Sequence, residues 1–178
     1  MAALCAGRPG CARHPRGSAA GSAWTDPTVG PVVGRSGCGS RRPVIYVDTS
    51  VILAWLLAED ARPAAAFWDK GPHVASRLVE YEAWVRLHAY GLAATHGDAL
   101  AAALGRLDLF ALDERVCARC RAPFPIAVRT LDALHLATAD FLRCQGLAVQ
   151  FATYDSRLGA AAVAMGFTLA GLDQGQDG

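Results

Sequence analysis

Four acidic side chains stand where a folded chain could use them for chemistry. Asp48 and Asp155 each directly follow an apolar segment that resembles a strand. Asp132 falls in the first turn of one predicted helix, and Glu82 falls in the second turn of another. Carboxylates gathered in one place repel one another and become partly protonated unless a cation offsets their charge. Mg²⁺ prefers oxygen ligands and keeps positions for water and phosphate, so the pattern indicates a divalent-metal site.

An alternation of strand and helix segments has to bring these acids together. The segment 44–47 is rich in β-branched and aromatic residues and predicts a strand, and the apolar run 51–58 predicts a helix capped by Thr49 or Ser50. Such alternation is typical of a parallel sheet covered by helices on both faces. The carboxyl ends of parallel strands meet at one edge, where ligands collect, so all four acids are expected there. Further strands are predicted at residues 73–76, 109–112, 148–153 and 167–170, and further helices include residues 98–107 and one capped by Thr130.

Helical periodicity alone gives only slight support to Glu82 over the nearby Glu80 as the acid that faces inward. The two residues lie two positions apart, so their side chains face different directions. Glu82 shares its face with Leu78 and Val85, which favours an inward position. Glu80, however, shares its own face with Trp84, so both acids stay candidates at this point.

Two polar residues follow Asp132 on the same predicted helix. Asp140 is about 12 Å further along the helix axis, too far to share one metal ion, and we interpret it as a solvated charge. His135 lies one turn after Asp132, where it would be able to relay a proton. A packing role is commoner for a histidine among apolar helix residues, and we expect that role.

Composition limits the classes of protein that fit. The chain has 178 residues, a formal net charge of +1 and 53% hydrophobic residues, which suits one domain with a sizeable core. Residues 1–42 are rich in Gly, Pro and Ser, with six arginines and one aspartate. We predict a disordered extension there, or a start codon assigned upstream of the natural one, then a single domain at 43–172 and a loose tail at 173–178.

The sequence offers few signs of other sites or of targeting. Cys117 and Cys120 form a C-x-x-C without a second pair at matching spacing, so a zinc site is not predicted. The longest apolar run, residues 51–58, is far shorter than the ~20 residues that a membrane span needs. We also find no apolar segment typical of a signal peptide, and therefore expect a cytoplasmic protein.

Four motifs, in order and at compatible spacing, resemble those of PIN-domain proteins, specifically the toxins of VapBC-type toxin–antitoxin pairs. The resemblance covers residues 44–169, and its Ser-to-Glu spacing selects Glu82 over Glu80. The motifs are Val-Ile-Tyr-Val-Asp-Thr-Ser-Val at 44–51, Ser-Arg-Leu-Val-Glu-Tyr-Glu at 76–82, Arg-Thr-Leu-Asp-Ala-Leu-His-Leu-Ala-Thr-Ala at 129–139 and Phe-Ala-Thr-Tyr-Asp-Ser-Arg-Leu at 151–158.

The resemblance implies a PIN-like three-layer α/β sandwich with a central parallel sheet of four or five strands. It also implies an endoribonuclease that depends on Mg²⁺ or Mn²⁺ and hydrolyses RNA with metal-activated water. Asp48 and Asp132 would be the principal metal ligands. Glu82 would orient the metal-bound water or bind directly, and Asp155 would complete the site.

Further residues and partners are carried over in the same way. Ser50 and Thr153 would donate hydrogen bonds to the acids, and Arg129 and Arg157 would hold substrate phosphates unless they are merely solvated. The family implies an RNA substrate, a homodimer and a small VapB-like antitoxin that blocks the site. No membrane association is expected, because the longest apolar run is too short. The alternative is a non-catalytic PIN-like module that binds RNA or protein. Binding alone, however, does not require clustered carboxylates.

Overall fold

The computed structural model describes residues 43–172. The predictions of a disordered extension at 1–42 and a loose tail at 173–178 lie outside the described residues. The strands are β1 Val44–Val47, β2 His73–Ser76, β3 Asp108–Phe110, β4 Val149–Ala152 and β5 Thr168–Leu169. The α-helices are α1 Thr49–Leu56, α2 Leu78–Ala89, α3 Ala93–Leu104, α4 Glu114–Cys120, α5 Thr130–Cys144 and α6 Ser156–Ala164, and a 3₁₀ helix spans Ala65–Asp69.

The five strands form one sheet in the order β3-β2-β1-β4-β5, and every pairing is parallel. In the centre of this sheet, Tyr46 of β1 lies between Val74 of β2 and Phe151 of β4. The predicted parallel sheet is therefore confirmed. Because the strands run in the same direction, the residues that follow β1, β2 and β4 open onto one edge.

Successive residues of β1 face opposite sides of the sheet, and this alternation builds two cores. Ile45 and Val47 pack in a cluster with buried residues of α1, α2 and α3. Tyr46 packs in a second cluster with buried residues of α5 and α6. The sheet thus has helices on both faces, which confirms the three-layer sandwich. Within the described residues, no helix has the length and apolar character needed to cross a bilayer.

Helix α3 begins at Ala93, so its predicted start at residue 98 was wrong. Gly97 lies inside this helix rather than at its boundary. A β-carbon built on Gly97 would meet the Trp84 ring of α2 at 2.9 Å, which is closer than van der Waals contact. The missing side chain lets α2 and α3 pack closely. A glycine in a helix interior, which usually weakens a helix, is explained here by packing.

Two predicted helix caps were also wrong. Asp48 itself is the N-cap residue of α1, and its carboxylate accepts a hydrogen bond from the Ser50 backbone N–H at 3.2 Å. Thr130 is the first residue of α5, and the N-cap position belongs to Arg129, whose side chain makes no capping bond. Both helices therefore start at a charged residue of the pocket described below.

Asp140 is buried, so its interpretation as a solvated charge was wrong. It is 7% exposed and forms ion pairs with Arg119 of α4 at 2.8 Å and with Arg143 of α5 at 2.5 Å. Arg143 also donates to the Met165 carbonyl at 2.8 Å. The network ties α4 and α5 to the end of α6. Periodicity within α5 could not reveal it, because Arg119 comes from another helix.

Candidate metal centre

A pocket of about 530 Å³ opens at the carboxyl edge of the sheet. Its lining includes the four acids predicted from the sequence, which are Asp48, Glu82, Asp132 and Asp155. They come from the end of β1, from α2, from the first turn of α5 and from the start of α6. Elements far apart in the chain thus place their carboxylates around one cavity, as expected from the parallel sheet.

Asp48 is held by hydrogen bonds to one of its two oxygens. Oδ2 accepts from the Ser50 hydroxyl at 2.6 Å and from the Thr153 hydroxyl at 2.9 Å. These two hydroxyls also accept hydrogen bonds from the backbone N–H groups of Tyr154 and Asp155. The turn after β4 is thereby connected to the end of β1. Among the described residues, no hydrogen bond uses Oδ1 of Asp48, and this oxygen stays available to a ligand.

Glu82 lies close to Asp48, whereas Glu80 does not. Oε2 of Glu82 accepts hydrogen bonds from the Thr49 hydroxyl and from Nε2 of His135, the latter at 2.9 Å. Glu80 instead forms an ion pair with Arg77 on the protein surface. Val85, whose shared face favoured Glu82 in the sequence, is 67% exposed. The helix face shared with Val85 therefore did not identify which glutamate lies near Asp48. The Ser-to-Glu spacing was the informative signal.

His135 was assigned a packing role from the sequence, and the structure adds it to the acid cluster. It is 1% exposed, and its Nε2 lies 2.9 Å from Glu82 and 3.6 Å from Oδ1 of Asp48. Within the described residues, Asp48, Glu82 and His135 form the group whose ligand atoms all lie within 4.8 Å of one another. The position of His135 one turn after Asp132 was the sequence signal that could have identified His135 as part of the site.

A hydrogen-bond chain sets the orientation of His135. The buried Tyr46 hydroxyl lies 2.9 Å from Nδ1 of His135 and accepts from the Ser76 backbone N–H at 3.2 Å. Because a carboxylate oxygen accepts hydrogen bonds, the 2.9 Å contact with Oε2 of Glu82 places a proton on Nε2 of His135. His135 is therefore a donor that holds Glu82, rather than a metal ligand through Nε2.

We expect Tyr46→Phe to lower the free energy of unfolding by about 2 kcal/mol, because it leaves the buried Ser76 N–H and His135 Nδ1 without a partner. Urea denaturation followed by circular dichroism measures the change. Tyr81→Phe is the matched control, since Tyr81 is 60% exposed. Its effect should stay within about 0.5 kcal/mol. Equal midpoints for the two variants would contradict the hydrogen-bond chain.

Asp132 and Asp155 are bound by one arginine. Nε of Arg129 lies 3.1 Å from Oδ2 of Asp132, and its Nη2 lies 2.9 Å from Oδ2 of Asp155. Asp155 is also the N-cap of α6, and its Oδ1 accepts from the Arg157 and Leu158 backbone N–H groups. Within the described residues, the group of mutually close ligand atoms consists of Asp48, Glu82 and His135, and Asp132 is not a member of it.

The predicted phosphate-binding arginines differ in position. Arg129 lines the pocket, whereas Arg157 is exposed and is not part of the lining. Arg86, which was not singled out from the sequence, also lines the pocket. It lies one helical turn after Glu82, and this spacing was the signal that could have identified it.

The contacts of the site shift several pKa values. Burial raises the pKa of Glu82, but the hydrogen bond and charge of His135 outweigh burial, so that the net pKa is lowered. Burial lowers the pKa of His135, but Glu82 and Asp48 outweigh it and raise the net pKa. For Asp155, backbone donors and Arg129 overcome burial and lower the pKa. Glu82 and Asp155 are thus ionised at neutral pH.

The donor set around Asp48 and Glu82 fits a hard divalent cation. Both carboxylates have one oxygen fixed by protein donors and the other without a hydrogen bond from the described residues. Within that part of the chain, neither acid forms an ion pair with lysine or arginine. Carboxylate oxygens held in this way are typical ligands of Mg²⁺ and Mn²⁺.

Comparison with known proteins agrees with the fold. The family model of the PIN domain matches residues 45–164. The chain is 34% identical over 128 residues to Ribonuclease VapC46 of Mycobacterium tuberculosis, a match that covers 70% of this chain and 95% of the relative. It is 32% identical over 126 residues to Ribonuclease VapC35 of the same species, covering 68% and 92%. With its parallel sheet and acid-lined pocket, this chain belongs to the PIN-domain family.

Proposed function

We propose that this protein is a divalent-metal-dependent endoribonuclease and the toxin of a type II toxin–antitoxin pair. The observation that carries the proposal is the pair of carboxylates, Asp48 and Glu82, held side by side in the pocket of a PIN domain. The two relatives bear the name ribonuclease, which supports RNA as the substrate. The activity belongs to a single domain formed by residues 43–172.

In the proposed site, acidic side chains of the pocket bind the ion and nearby hydroxyls hold Asp48 in position. Asp48 and Glu82 bind Mg²⁺ or Mn²⁺ through the oxygens that the protein leaves available. Asp132 supplies a further ligand through Oδ1, while its Oδ2 accepts from Arg129. When bound, the cation activates water for attack on the phosphodiester and offsets the charge that develops. Ser50 and Thr153 keep Asp48 in place. Such supporting donors are typically worth 10–100-fold in metal affinity or activity.

The rim of the pocket provides contacts for RNA. Arg86 and Arg129 line it, and their guanidinium groups are suited to a substrate phosphate. Val85 and Leu131 also line it and are 67% and 47% exposed. We propose a single-stranded substrate, because unpaired bases can reach these apolar side chains whereas paired bases are stacked inside a duplex. Arg157 lies outside the pocket, where it can contact a more distant phosphate.

We further propose a VapB-like antitoxin, a homodimer and a cytoplasmic location. The names of the relatives support a toxin–antitoxin pair. On α2, Tyr81 and Val85 are 60% and 67% exposed, which gives a partner chain an apolar contact close to the pocket. The weaker alternative, a non-catalytic binding module, leaves unexplained why two acids and a histidine are gathered in the interior.

Incubation of the purified full chain with a fluorescent single-stranded RNA tests the activity. We expect cleavage with Mg²⁺ or Mn²⁺ and loss of cleavage after EDTA treatment. Without a cation, Asp48 and Glu82 repel each other and no metal ion is present to activate water. Return of activity when the metal is added back excludes irreversible damage. Cleavage that continues at the full rate in EDTA would contradict the proposal.

A further inference from the structure

Arg129 connects two acids of the pocket that belong to different helices. Its Nε contacts Asp132 of α5 at 3.1 Å, and its Nη2 contacts Asp155 at the start of α6 at 2.9 Å. The guanidinium therefore lies between two carboxylates, where a cation that contacts both of them would otherwise lie. Arginine presents a fixed fork of N–H donors, which suits this bridging contact better than lysine.

The two acids bound by Arg129 are separate from the group around Asp48. Within residues 43–172, the close group consists of Asp48, Glu82 and His135. Asp155 has both oxygens in use, since Oδ1 accepts from two backbone N–H groups and Oδ2 accepts from Arg129. Asp155 therefore has one acceptor position left on Oδ2, directly beside the positive guanidinium of Arg129.

We infer that Arg129 takes the place of a second divalent cation, so that the pocket binds one ion at Asp48 and Glu82. This inference rests on the proposed metal-dependent function. Four carboxylates line the pocket, and one divalent ion together with Arg86 and Arg129, which also line it, supplies a matching positive charge. A second ion beside Asp132 and Asp155 would meet the positive guanidinium and be repelled by it. Without Arg129, the same two carboxylates form an open pair of oxygen ligands.

Calorimetric titration of the metal-free full chain with Mn²⁺ measures the number of ions bound. We expect one ion per chain for the native protein and two for Arg129→Gln, because the freed carboxylates of Asp132 and Asp155 then accept a second ion. Arg129→Lys keeps the positive charge and should bind one. Electron paramagnetic resonance of bound Mn²⁺ gives an independent reading, because two neighbouring Mn²⁺ ions broaden each other's signal.

Arg115→Gln is the matched control. Arg115 pairs at 2.7 Å with Asp113, which caps α4 much as Asp155 caps α6, but this pair lies on the surface away from the pocket. The control should bind one Mn²⁺, and a second ion there would overturn the inference. Two ions in the native protein, or one in Arg129→Gln, would also overturn the inference and leave the proposed nuclease intact. If the native protein binds no Mn²⁺, the proposed function itself fails.

Discussion

Replacing Asp48 with asparagine should lower RNA cleavage by more than about 100-fold, since even residues that only orient metal ligands are worth 10–100-fold. Asparagine keeps an oxygen that can accept from Ser50 and Thr153, and it is also a good helix N-cap. We therefore expect the fold to survive while the charge that binds the cation is lost. Initial cleavage rates and Mn²⁺ calorimetry measure the two effects. Full activity in this variant would exclude Asp48 from the metal centre.

Glu82 and Glu80 offer a matched comparison within one helix. Glu82→Gln removes a charge beside Asp48 and His135, whereas Glu80→Gln removes one that pairs with Arg77 on the surface. The first variant should lose most of its activity, and the second should keep it. Both substitutions preserve side-chain size and lie two residues apart, so a general weakening of α2 would affect them alike. Similar losses in both would contradict the site.

The largest effect on stability is expected at Asp140. Removing its carboxylate with Asp140→Ala leaves Arg119 and Arg143, whose side chains are 18% and 29% exposed, without their shared acid. Breaking a buried ion pair in this way costs about 3–5 kcal/mol, and the partial exposure of both arginines places the loss near the lower value. Urea denaturation measures it as a lower transition midpoint.

Glu114→Ala provides the contrasting case for Asp140→Ala. Glu114 pairs with Arg121 at 2.8 Å, but the two side chains are 78% and 67% exposed. Solvent screens such a pair, so its loss should change stability by less than about 1 kcal/mol. Equal destabilisation by the two substitutions would show that burial does not determine how much these ion pairs contribute to the free energy of unfolding.

The elements that were predicted well are those specified by neighbouring residues. The strand that precedes Asp48 follows from a short β-branched run, and the apolar run after Asp48 predicts α1. Once the strands are known to be parallel, the position of Asp155 after β4 places it at the same edge without any further information. The pocket of acids could thus be predicted from local segments and one rule about sheets.

The features that were missed depend on contacts between distant residues. His135 looks like a packing residue within α5, because its partners Tyr46 and Glu82 lie 89 and 53 residues away. Asp140 looks exposed for a similar reason, since Arg119 is 21 residues away on another helix. Within α5, Asp140 has only Arg143, three residues on, as a partner, and no pattern in this helix contains the other three contacts. The folded structure is needed to show which polar residues meet.

The hydrogen bond from Thr153 to Asp48 joins residues 105 positions apart. A growing chain therefore lacks this support until the segment after β4 has left the ribosome. Pairing of β4 with β1 is what brings the Thr153 hydroxyl to Oδ2 of Asp48. The position of this carboxylate therefore depends on the closure of the central sheet, and a chain that has not closed its sheet lacks one of the donors that hold Asp48.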